Sequence, residues 1–274
     1  MAASGADTMS GKSDTHGCQD DIDPKGLQLC LQGIRDLSRG RVVAVEARHR
    51  YRASAGQLIG TSELPGYFRA RTSLARINLE MLDTALQALR ALHLRGYALE
   101  LTARVFLDTL AQPDLADWLR DRLETYRLPP ETLVLALREG GRTRCPSDMT
   151  CAALEALRAI GARIALDEMA YGPNALMSIR RFDPDILRVS SALIAGDPAC
   201  GDHRCVASSM RKWTDSFALV RFGRERGLAV VATGVTTSEQ LDIVTRMGFD
   251  AAQGPGLGAV VPAGRFQKLL SGTA

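Results

Sequence analysis

From Leu27 onward, short apolar runs alternate with longer segments in which apolar side chains recur every three or four residues, as at Leu79, Leu82, Leu86 and Leu89. The short runs are typical of buried strands, and the longer segments have the period of amphipathic helices. Strands are predicted at residues 27–37, 42–51, 97–103, 133–139, 163–169, 186–190, 228–235 and 251–254. Helices are predicted at residues 72–94, 115–126, 150–160, 175–181, 206–226 and 238–247.

Eight strands that alternate with helices favour an α/β fold of the TIM type, a (β/α)8 barrel, over an open doubly wound sheet. The first strand is not followed by a G-x-G-x-x-G turn, which disfavours a dinucleotide-binding sheet. The link at residues 36–40 is too short for a crossover helix, so the barrel should be irregular, with an antiparallel first strand. We expect residues 1–24 to be a flexible N-terminal tail and residues 25–274 to form the barrel domain.

The charge balance disfavours several function classes. The 274-residue chain has 34 basic and 31 acidic side chains, a formal net charge of +3, and the two signs are interspersed. Because binding of nucleic acid by bulk charge needs a larger and more clustered positive charge, no direct DNA binding is expected. No apolar run reaches the roughly 18 residues that span a bilayer, and no secretory signal is recognisable. With only six cysteines, we expect reduced thiols and a cytoplasmic protein.

Polar residues at the carboxyl ends of the predicted strands mark the candidate site, because barrels of this type carry their chemistry there. Two groups stand out: the consecutive carboxylates Asp167 and Glu168, and the cluster from Glu46 to Arg50. Consecutive carboxylates can bind a divalent cation or position an acid–base pair, but they are also common as solvated loop starts. The other candidates at strand ends are Glu100, Thr102, Arg138, Glu139, Arg188, Ser190, Thr233 and Gln253.

Several segments resemble the motifs of EAL domains, which are bacterial phosphodiesterases that hydrolyse cyclic di-GMP. Residues 166–172 and 180–190 resemble the family's L-D-D-F-G-T-G and L-R-R-L-P-x-D-x-L-K-I-D stretches, and residues 45–50 resemble its E-A-L-x-R signature. Further similarities lie at residues 31–34, 99–104, 128–139, 231–237 and 252–254. The resemblance covers nearly everything after the tail, in the family's order, and implies the same irregular barrel.

The resemblance also implies a metal cluster, which this sequence keeps only in part. Active members hold two divalent metals, and such a pair needs several anionic oxygens. Glu46 and Asp167 keep the family residues, whereas Glu100 stands for an Asn, Glu168 for an Asp and Ala136 for a Glu. If a metal is still bound, these identities imply that its ligands are Glu46, Glu100, Asp167 and Glu168. No cofactor is then required, and Mg or Mn is expected only with residual activity.

In active members the metals activate a water molecule that attacks the phosphodiester, and the positions implied to assist this water have changed as well. Arg188 replaces a Lys and cannot act as a base at neutral pH. Ser190, Thr233 and Thr236 replace three acids. The resemblance therefore favours a protein without efficient hydrolysis, in which the vestigial catalytic positions are Glu46, Asp167, Glu168 and Arg188.

Loss of hydrolysis does not imply loss of the ligand. The resemblance implies that Gln32, Arg50 and Gln253 contact cyclic di-GMP, and the Arg50 fork suits a phosphate. Arg188 supplies further positive charge and is therefore also expected to bind the ligand. In the alternative interpretation, Arg50 and Gln32 only close polar networks inside the barrel. Glu100 and the altered segment at residues 169–174 are departures that would affect the pocket.

Three hypotheses follow for the function. The first is a degenerate EAL regulator that controls bacterial gene expression, such as motility or virulence, through a protein partner, with cyclic di-GMP as a candidate ligand. The second is a phosphodiesterase with residual metal-dependent activity, and the third is a pure cyclic di-GMP receptor. The family's tendency to dimerise implies a homodimer as a candidate assembly, and no membrane association is expected.

Two further features are expected to be structural. The segment from Cys200 to Cys205 contains two cysteines and His203, but its spacing does not match zinc sites well, so ordinary loop thiols are expected. His49 lies in the signature strand and is expected to be a packed histidine rather than a catalytic base.

Overall fold

The computed structural model describes residues 26–52, 58–60, 63–64, 71–138, 148–169, 173–190 and 203–271. The strands in these residues are β1 (Leu27–Asp36), β2 (Val42–Arg52), β3 (Leu58–Gly60), β4 (Glu100–Val105), β5 (Leu133–Arg138), β6 (Arg163–Met169), β7 (Ile186–Ser190), β8 (Ala229–Thr233), β9 (Ala251–Gln253) and β10 (Val261–Pro262). The helices are α1 (Arg71–His93), α2 (Leu107–Leu110), α3 (Leu115–Tyr126), α4 (Asp148–Ala159), α5 (Pro173–Phe182), α6 (His203–Glu225), α7 (Ser238–Met247) and α8 (Ala263–Ser271), and Pro130–Thr132 forms one turn of 3₁₀ helix.

Eight of these strands close into a ring. Their order is β1-β9-β8-β7-β6-β5-β4-β2, and a β1–β2 pairing completes the circle, while β10 and β3 flank it. β1 runs antiparallel to β2, with Gln32 opposite Glu46, and the steps from β2 to β4 and on to β9 are all parallel. This confirms the predicted irregular (β/α)8 barrel with an antiparallel first strand.

The apolar side chains outside and inside the ring form separate clusters, because successive side chains of a strand point to opposite faces. Outward-facing leucines such as Leu101, Leu135 and Leu187 pack against the helices, where Leu86 and Leu89 of α1 are fully buried. The inward-facing side chains of one layer form a separate apolar cluster inside the ring, whose members are Ile34, Ala44, Val134, Ala136, Ala165, Ile186, Val231 and Ala251. The next inward layer, toward the carboxyl ends of the parallel strands, is polar.

The predicted elements agree with the structure to within a few residues, with one consequential shift. The predicted strand at residues 97–103 is β4 at Glu100–Val105, because the residues before it close the end of α1 instead. The Tyr97 N–H donates to the Leu92 carbonyl and the Leu99 N–H donates to the Tyr97 carbonyl. Glu100 is therefore the first residue of β4 and not a residue of its carboxyl end.

The short elements β3, α2 and β10 and the helix α8 were not predicted. Residues 1–25, which include the predicted tail, and Cys200 lie outside the described residues, whereas Cys205 belongs to α6. Among the described helices, none combines the length and the apolar character needed to cross a bilayer.

Candidate functional site

Arg188 is the centre of a buried polar cluster at the carboxyl end of the barrel. Only 2% of its side chain is exposed. Its Nη2 donates hydrogen bonds to Oε2 of Glu46 at 3.1 Å and to Oε1 of Gln253 at 2.8 Å, and its Nη1 lies 3.4 Å from Oδ1 of Asp167. The guanidinium thus contacts both carboxylates that the sequence retains. Charge-assisted bonds of this kind are the stronger hydrogen bonds in proteins.

Glu46 is held as a carboxylate by its neighbours. Burial would raise the pKa of Glu46, but the charges of Arg188 and Arg48 and hydrogen bonds from Arg188 and Gln253 together lower it from 4.5 to about 2. The Arg48 contact runs from Nε to Oε2 of Glu46 at 3.2 Å, and the Gln253 contact from Nε2 to the same oxygen at 2.6 Å. Near neutral pH, Glu46 is therefore an anion with partners, unsuited to donate a proton.

Asp167 lies between two guanidinium groups. Its Oδ2 accepts a hydrogen bond from Nη2 of Arg104 at 2.8 Å, and its Oδ1 forms the ion pair with Arg188. Asp167 is 6% exposed, so these are ion pairs of the interior and not of the surface. Among the side chains that the structure describes, these contacts join the carboxylates of Glu46 and Asp167 to the guanidinium groups of Arg48, Arg104 and Arg188.

Gln253 and Gln32 extend the cluster as a chain of buried amides. The Nε2 of Gln253 donates to Oε1 of Gln32 at 3.1 Å, and Nε2 of Gln32 donates to the Gly258 carbonyl at 2.8 Å. Gln253 is positioned by a close backbone approach, since a Cβ at Gly254 would lie 2.1 Å from the Val235 carbonyl oxygen. Only glycine fits there. Gln32 and Gln253 thus take part in an internal polar network, which is the role that the alternative interpretation gives to Gln32 and Arg50.

The structure does not bring Glu100 to this cluster, although the resemblance implies a metal ligand at this position. Glu100 is the first residue of β4, opposite Ala44, and its Oε1 accepts a hydrogen bond from Nη1 of Arg163 at 2.9 Å. Arg163 is itself the first residue of β6, so this pair lies at the amino end of the parallel strands. The two ends are separated by the apolar inward layer.

Arg104 occupies the position near the carboxyl end of β4 that was assigned to Glu100. It was not singled out from the sequence, although it lies in the segment at residues 99–104 that resembles the family motif. The sequence does contain one signal that could have identified Arg104, which is the alternation of side chains along a strand. Glu100, Thr102 and Arg104 share one face of β4, and the bounds of the strand decide which of them reaches the site.

Three of the other replaced positions, Ala136, Thr233 and Thr236, make ordinary structural contacts. Ala136 is 1% exposed and belongs to the apolar inward layer. Thr233 donates from Oγ1 to the Val189 carbonyl at 3.3 Å, and Thr236 donates from Oγ1 to Oε1 of Gln240 at 2.9 Å. Glu168 follows Asp167 in β6. Among the side chains that the structure describes, no group of three or more His, Cys, Asp or Glu converges to hold a metal ion.

His49 and Arg50 lie on opposite faces of β2. The His49 ring is 3% exposed, its Nε2 lies 3.0 Å from Oγ1 of Thr84 on α1, and burial lowers its pKa to about 4. His49 is therefore packed and neutral, as expected from the sequence. Arg50 is exposed, opposite Gln28 of β1 and Gly60 of β3.

Comparison with known proteins places this barrel in a family. The model of the EAL domain matches residues 17–259. The cyclic di-GMP phosphodiesterase NbdA of Pseudomonas aeruginosa is 28% identical over 245 residues, which are 89% of this chain and 30% of NbdA. The chain spans about a third of the length of the curated relatives it matches.

Two solved structures combine the same fold with bound ligands. The PaMucR phosphodiesterase, in complex with c-di-GMP, is 26% identical, with a TM-score of 0.75 over 88% of this chain and 94% of its own. BlrP1 of Klebsiella pneumoniae, in a complex with manganese and c-di-GMP, is 25% identical, with a TM-score of 0.72 over 90% of this chain and 59% of its own. The barrel described above, together with a family match over most of its length, shows that this chain belongs to the EAL domain family.

Proposed function

We propose that this EAL domain is catalytically degenerate and acts as a regulator that binds cyclic di-GMP without hydrolysing it by a two-metal mechanism. The observation that carries the proposal is the position of Arg188. Its guanidinium contacts Glu46 and Asp167 at once, and these are the two retained carboxylates of the cluster.

The described donor set does not fit two divalent cations. A pair of metals needs several anionic oxygens, whereas Ala136 has no donor atom, and the Asp167 carboxylate accepts a hydrogen bond from Arg104 and forms an ion pair with Arg188. A cation that approached those oxygens would also meet the guanidinium charges. At an effective dielectric of about 20, two unit charges 4 Å apart repel by roughly 4 kcal/mol, and the doubled charge of the metal doubles this.

Arg188 also fails as a replacement for a water-activating lysine. A guanidinium stays protonated at every physiological pH, so it cannot take a proton from water. In its buried place it acts instead as the permanent counter-ion of Glu46 and Asp167. In this role it supplies positive charge to two buried carboxylates, at a site where a metal cluster would otherwise supply that charge.

Cyclic di-GMP is the proposed ligand because the chain is similar to domains solved in complex with it. Arg50, which is exposed on β2, suits a phosphate, and Gln32, Gln253 and Arg188 line the same end of the barrel. We further propose that the domain acts in the cytoplasm on a protein partner that controls gene expression. In this proposal it does not contact DNA itself, and a homodimer is its candidate assembly.

The decisive experiment measures turnover. Purified protein is incubated with cyclic di-GMP and Mg²⁺ or Mn²⁺, and the linear dinucleotide is separated by chromatography. We expect no product above a sample without protein. Turnover that Glu46→Ala abolishes and Glu100→Ala preserves would overturn the proposal in favour of a phosphodiesterase with residual activity, because only Glu46 lies in the cluster.

A further inference from the structure

Asn78 is a fully buried polar residue of α1 that holds the carboxyl end of β4. Its Nδ2 donates a hydrogen bond to the Arg104 carbonyl at 2.9 Å. Its Oδ1 accepts from the Phe106 N–H at 2.9 Å and from Oγ1 of Thr109, on α2, at 2.8 Å. One side chain thus joins the helix α1, the end of β4 and the helix α2.

The contact lies beyond the point where β2 and β4 stop pairing. The register between these strands ends at Glu46 and Thr102, and β2 then pairs antiparallel with β3. A residue of a parallel neighbouring strand would donate to one carbonyl and accept from the N–H two residues further on. Asn78 does both, at Arg104 and Phe106, because an amide side chain carries the donor and the acceptor of a peptide group. It therefore takes the place of a strand partner for these two backbone groups.

The surroundings of Asn78 are apolar, which makes this contact hard to replace. Ile77 of α1 and Phe106 belong to one buried cluster, whose other members are Tyr51, Ile59, Leu64, Leu74 and Met81. Ile77 is fully buried, and Phe106 is 8% exposed. A hydrogen bond that is lost in such a place leaves buried groups without a partner, and this costs more than the loss of an exposed bond. The backbone at the end of β4 is therefore fixed by α1.

Arg104 transmits this constraint to the polar cluster inside the barrel. Its Nη2 donates to Oδ2 of Asp167 at 2.8 Å, and Asp167 also forms the ion pair with Arg188. Hydrogen bonds weaken steeply away from their preferred angles, so this contact depends on the direction in which β4 presents the Arg104 side chain. A shift of the backbone at the Arg104 carbonyl would therefore move the guanidinium group relative to Asp167.

We infer that Asn78 is a positioning residue of the candidate site, which holds Arg104 against Asp167 through the backbone at the end of β4. Asn78 lies outside the segments that resemble the family motifs, in the outer layer of helices. The inference goes beyond the proposed function and does not depend on it, because the hydrogen bonds that carry it form without a ligand.

The test is a double-mutant cycle on the unfolding equilibrium constant, measured by urea denaturation without cyclic di-GMP or metal. Asn78→Ala, Asp167→Asn and the double variant are compared with the parent. If Asn78 were only a local anchor, the two effects would multiply to within about twofold. We expect Asn78→Ala to cost less, by a factor of about three or more, when Asp167→Asn is already present, because the charge-assisted bond that Asn78 positions is then gone.

Thr109→Val is the matched control. It removes one hydrogen bond of the same amide at nearly constant volume and leaves the bonds to Arg104 and Phe106 in place. Its effect should multiply with that of Asp167→Asn. Simple multiplication for Asn78→Ala, or an equal departure from it for Thr109→Val, would overturn the inference. Since the samples contain no ligand, neither result depends on whether the domain hydrolyses cyclic di-GMP.

Hydrogen exchange of the Phe106 amide tests the same link if Asn78→Ala does not fold. Coupling between two groups is reciprocal, so Asp167→Asn should loosen the hydrogen bond between Asn78 and the Phe106 N–H. We expect this amide to exchange about threefold or more faster than in the parent, relative to the Phe249 N–H, which donates to the Val244 carbonyl at the end of α7. Equal acceleration of the two amides, or none, would overturn the inference, because a change in overall stability affects both.

Discussion

Two arginine–glutamate pairs lie inside the same barrel, at opposite ends. Arg188 and Glu46 are 3.1 Å apart at the carboxyl end, with 2% and 9% of their side chains exposed. Arg163 and Glu100 are 2.9 Å apart at the amino end, with 31% and 42% exposed. The distances are nearly equal, and each pair joins two strands of one ring that are not direct neighbours, β2 with β7 and β4 with β6. The surroundings of the two pairs are therefore what distinguishes them.

Burial, and not the distance between the charged groups, is therefore expected to decide how much each ion pair contributes to stability. An exposed pair contributes about 0–1 kcal/mol, because water solvates either partner when the other is removed. A buried pair leaves an uncompensated charge when it is broken, and its partners cannot separate freely. We therefore expect the pair at the amino end to contribute little to stability and the pair of Arg188 with Glu46 to contribute more.

The largest expected effect comes from Arg188→Ala. The substitution leaves Glu46 and Asp167 without the cation that contacts both, so the free energy of unfolding should fall by about 3–5 kcal/mol, measured by urea denaturation. Arg163→Ala is the control at the other end and should cost less than about 1 kcal/mol. Equal small losses for the two variants would show that the cluster is not a buried ionic unit.

The second largest expected effect is the loss of stability at acid pH that results from protonation of Glu46. Its pKa falls from 4.5 to about 2 in the folded protein, so its contribution to stability is present above pH 4.5 and is lost as the pH falls from 4.5 to 2. A shift of this size corresponds to roughly 3 kcal/mol. The measurement is the free energy of unfolding as a function of pH. In the parent protein it should fall between pH 4.5 and 2, and in Glu46→Gln this contribution to the fall should be absent.

His49 makes stability depend on pH in a second range, and this contribution must be subtracted from the measured pH dependence before that of Glu46 is assigned. Burial lowers its pKa from 6.5 to about 4, so the unfolded chain binds a proton between those values and the folded chain does not. Stability from this source is present above pH 6.5 and falls as the pH drops toward 4. In Glu46→Gln this upper window should remain; its disappearance there would mean that the acid response was wrongly assigned.

Glu100→Gln should have the smallest effect. Because the Arg163–Glu100 pair is partly exposed, the free energy of unfolding should change by less than about 1 kcal/mol. Affinity for cyclic di-GMP, measured by calorimetry, should stay at the parent value, since Glu100 lies at the far end of the barrel. A large loss of affinity would place Glu100 at the ligand after all.

Much of the fold could be predicted, because periodicity is a local property. The helix Ser238–Met247 was predicted at its exact bounds, and its ends are marked in the sequence by the Thr237 capping box with Gln240 and by Gly248 at φ +86°. The strands Arg163–Met169 and Ile186–Ser190 also match residue for residue, which placed Asp167 and Arg188 correctly at one end of the barrel.

The error at β4 has a different origin. The residues Tyr97–Leu99 are as apolar as a strand, but their backbone groups close the end of α1 instead of pairing with β2. Strand alternation cannot reveal this, because Glu100, Thr102 and Arg104 are all consistent with the inner face. Only the register with Ala44, Val45 and Glu46 settles which of the three reaches the carboxyl end.

The barrel, the family and the positions that depart from the family motifs could all be predicted from the sequence alone, because apolar periodicity and motif order are properties of the chain. The tertiary structure decided how the charges are shared: Arg188 contacts Glu46 and Asp167, Arg104 joins Asp167, and Glu100 turns to Arg163. The partners of these four pairs lie 21 to 142 residues apart along the chain. Ion pairing depends on distance and burial in space, and only the closed ring fixes both.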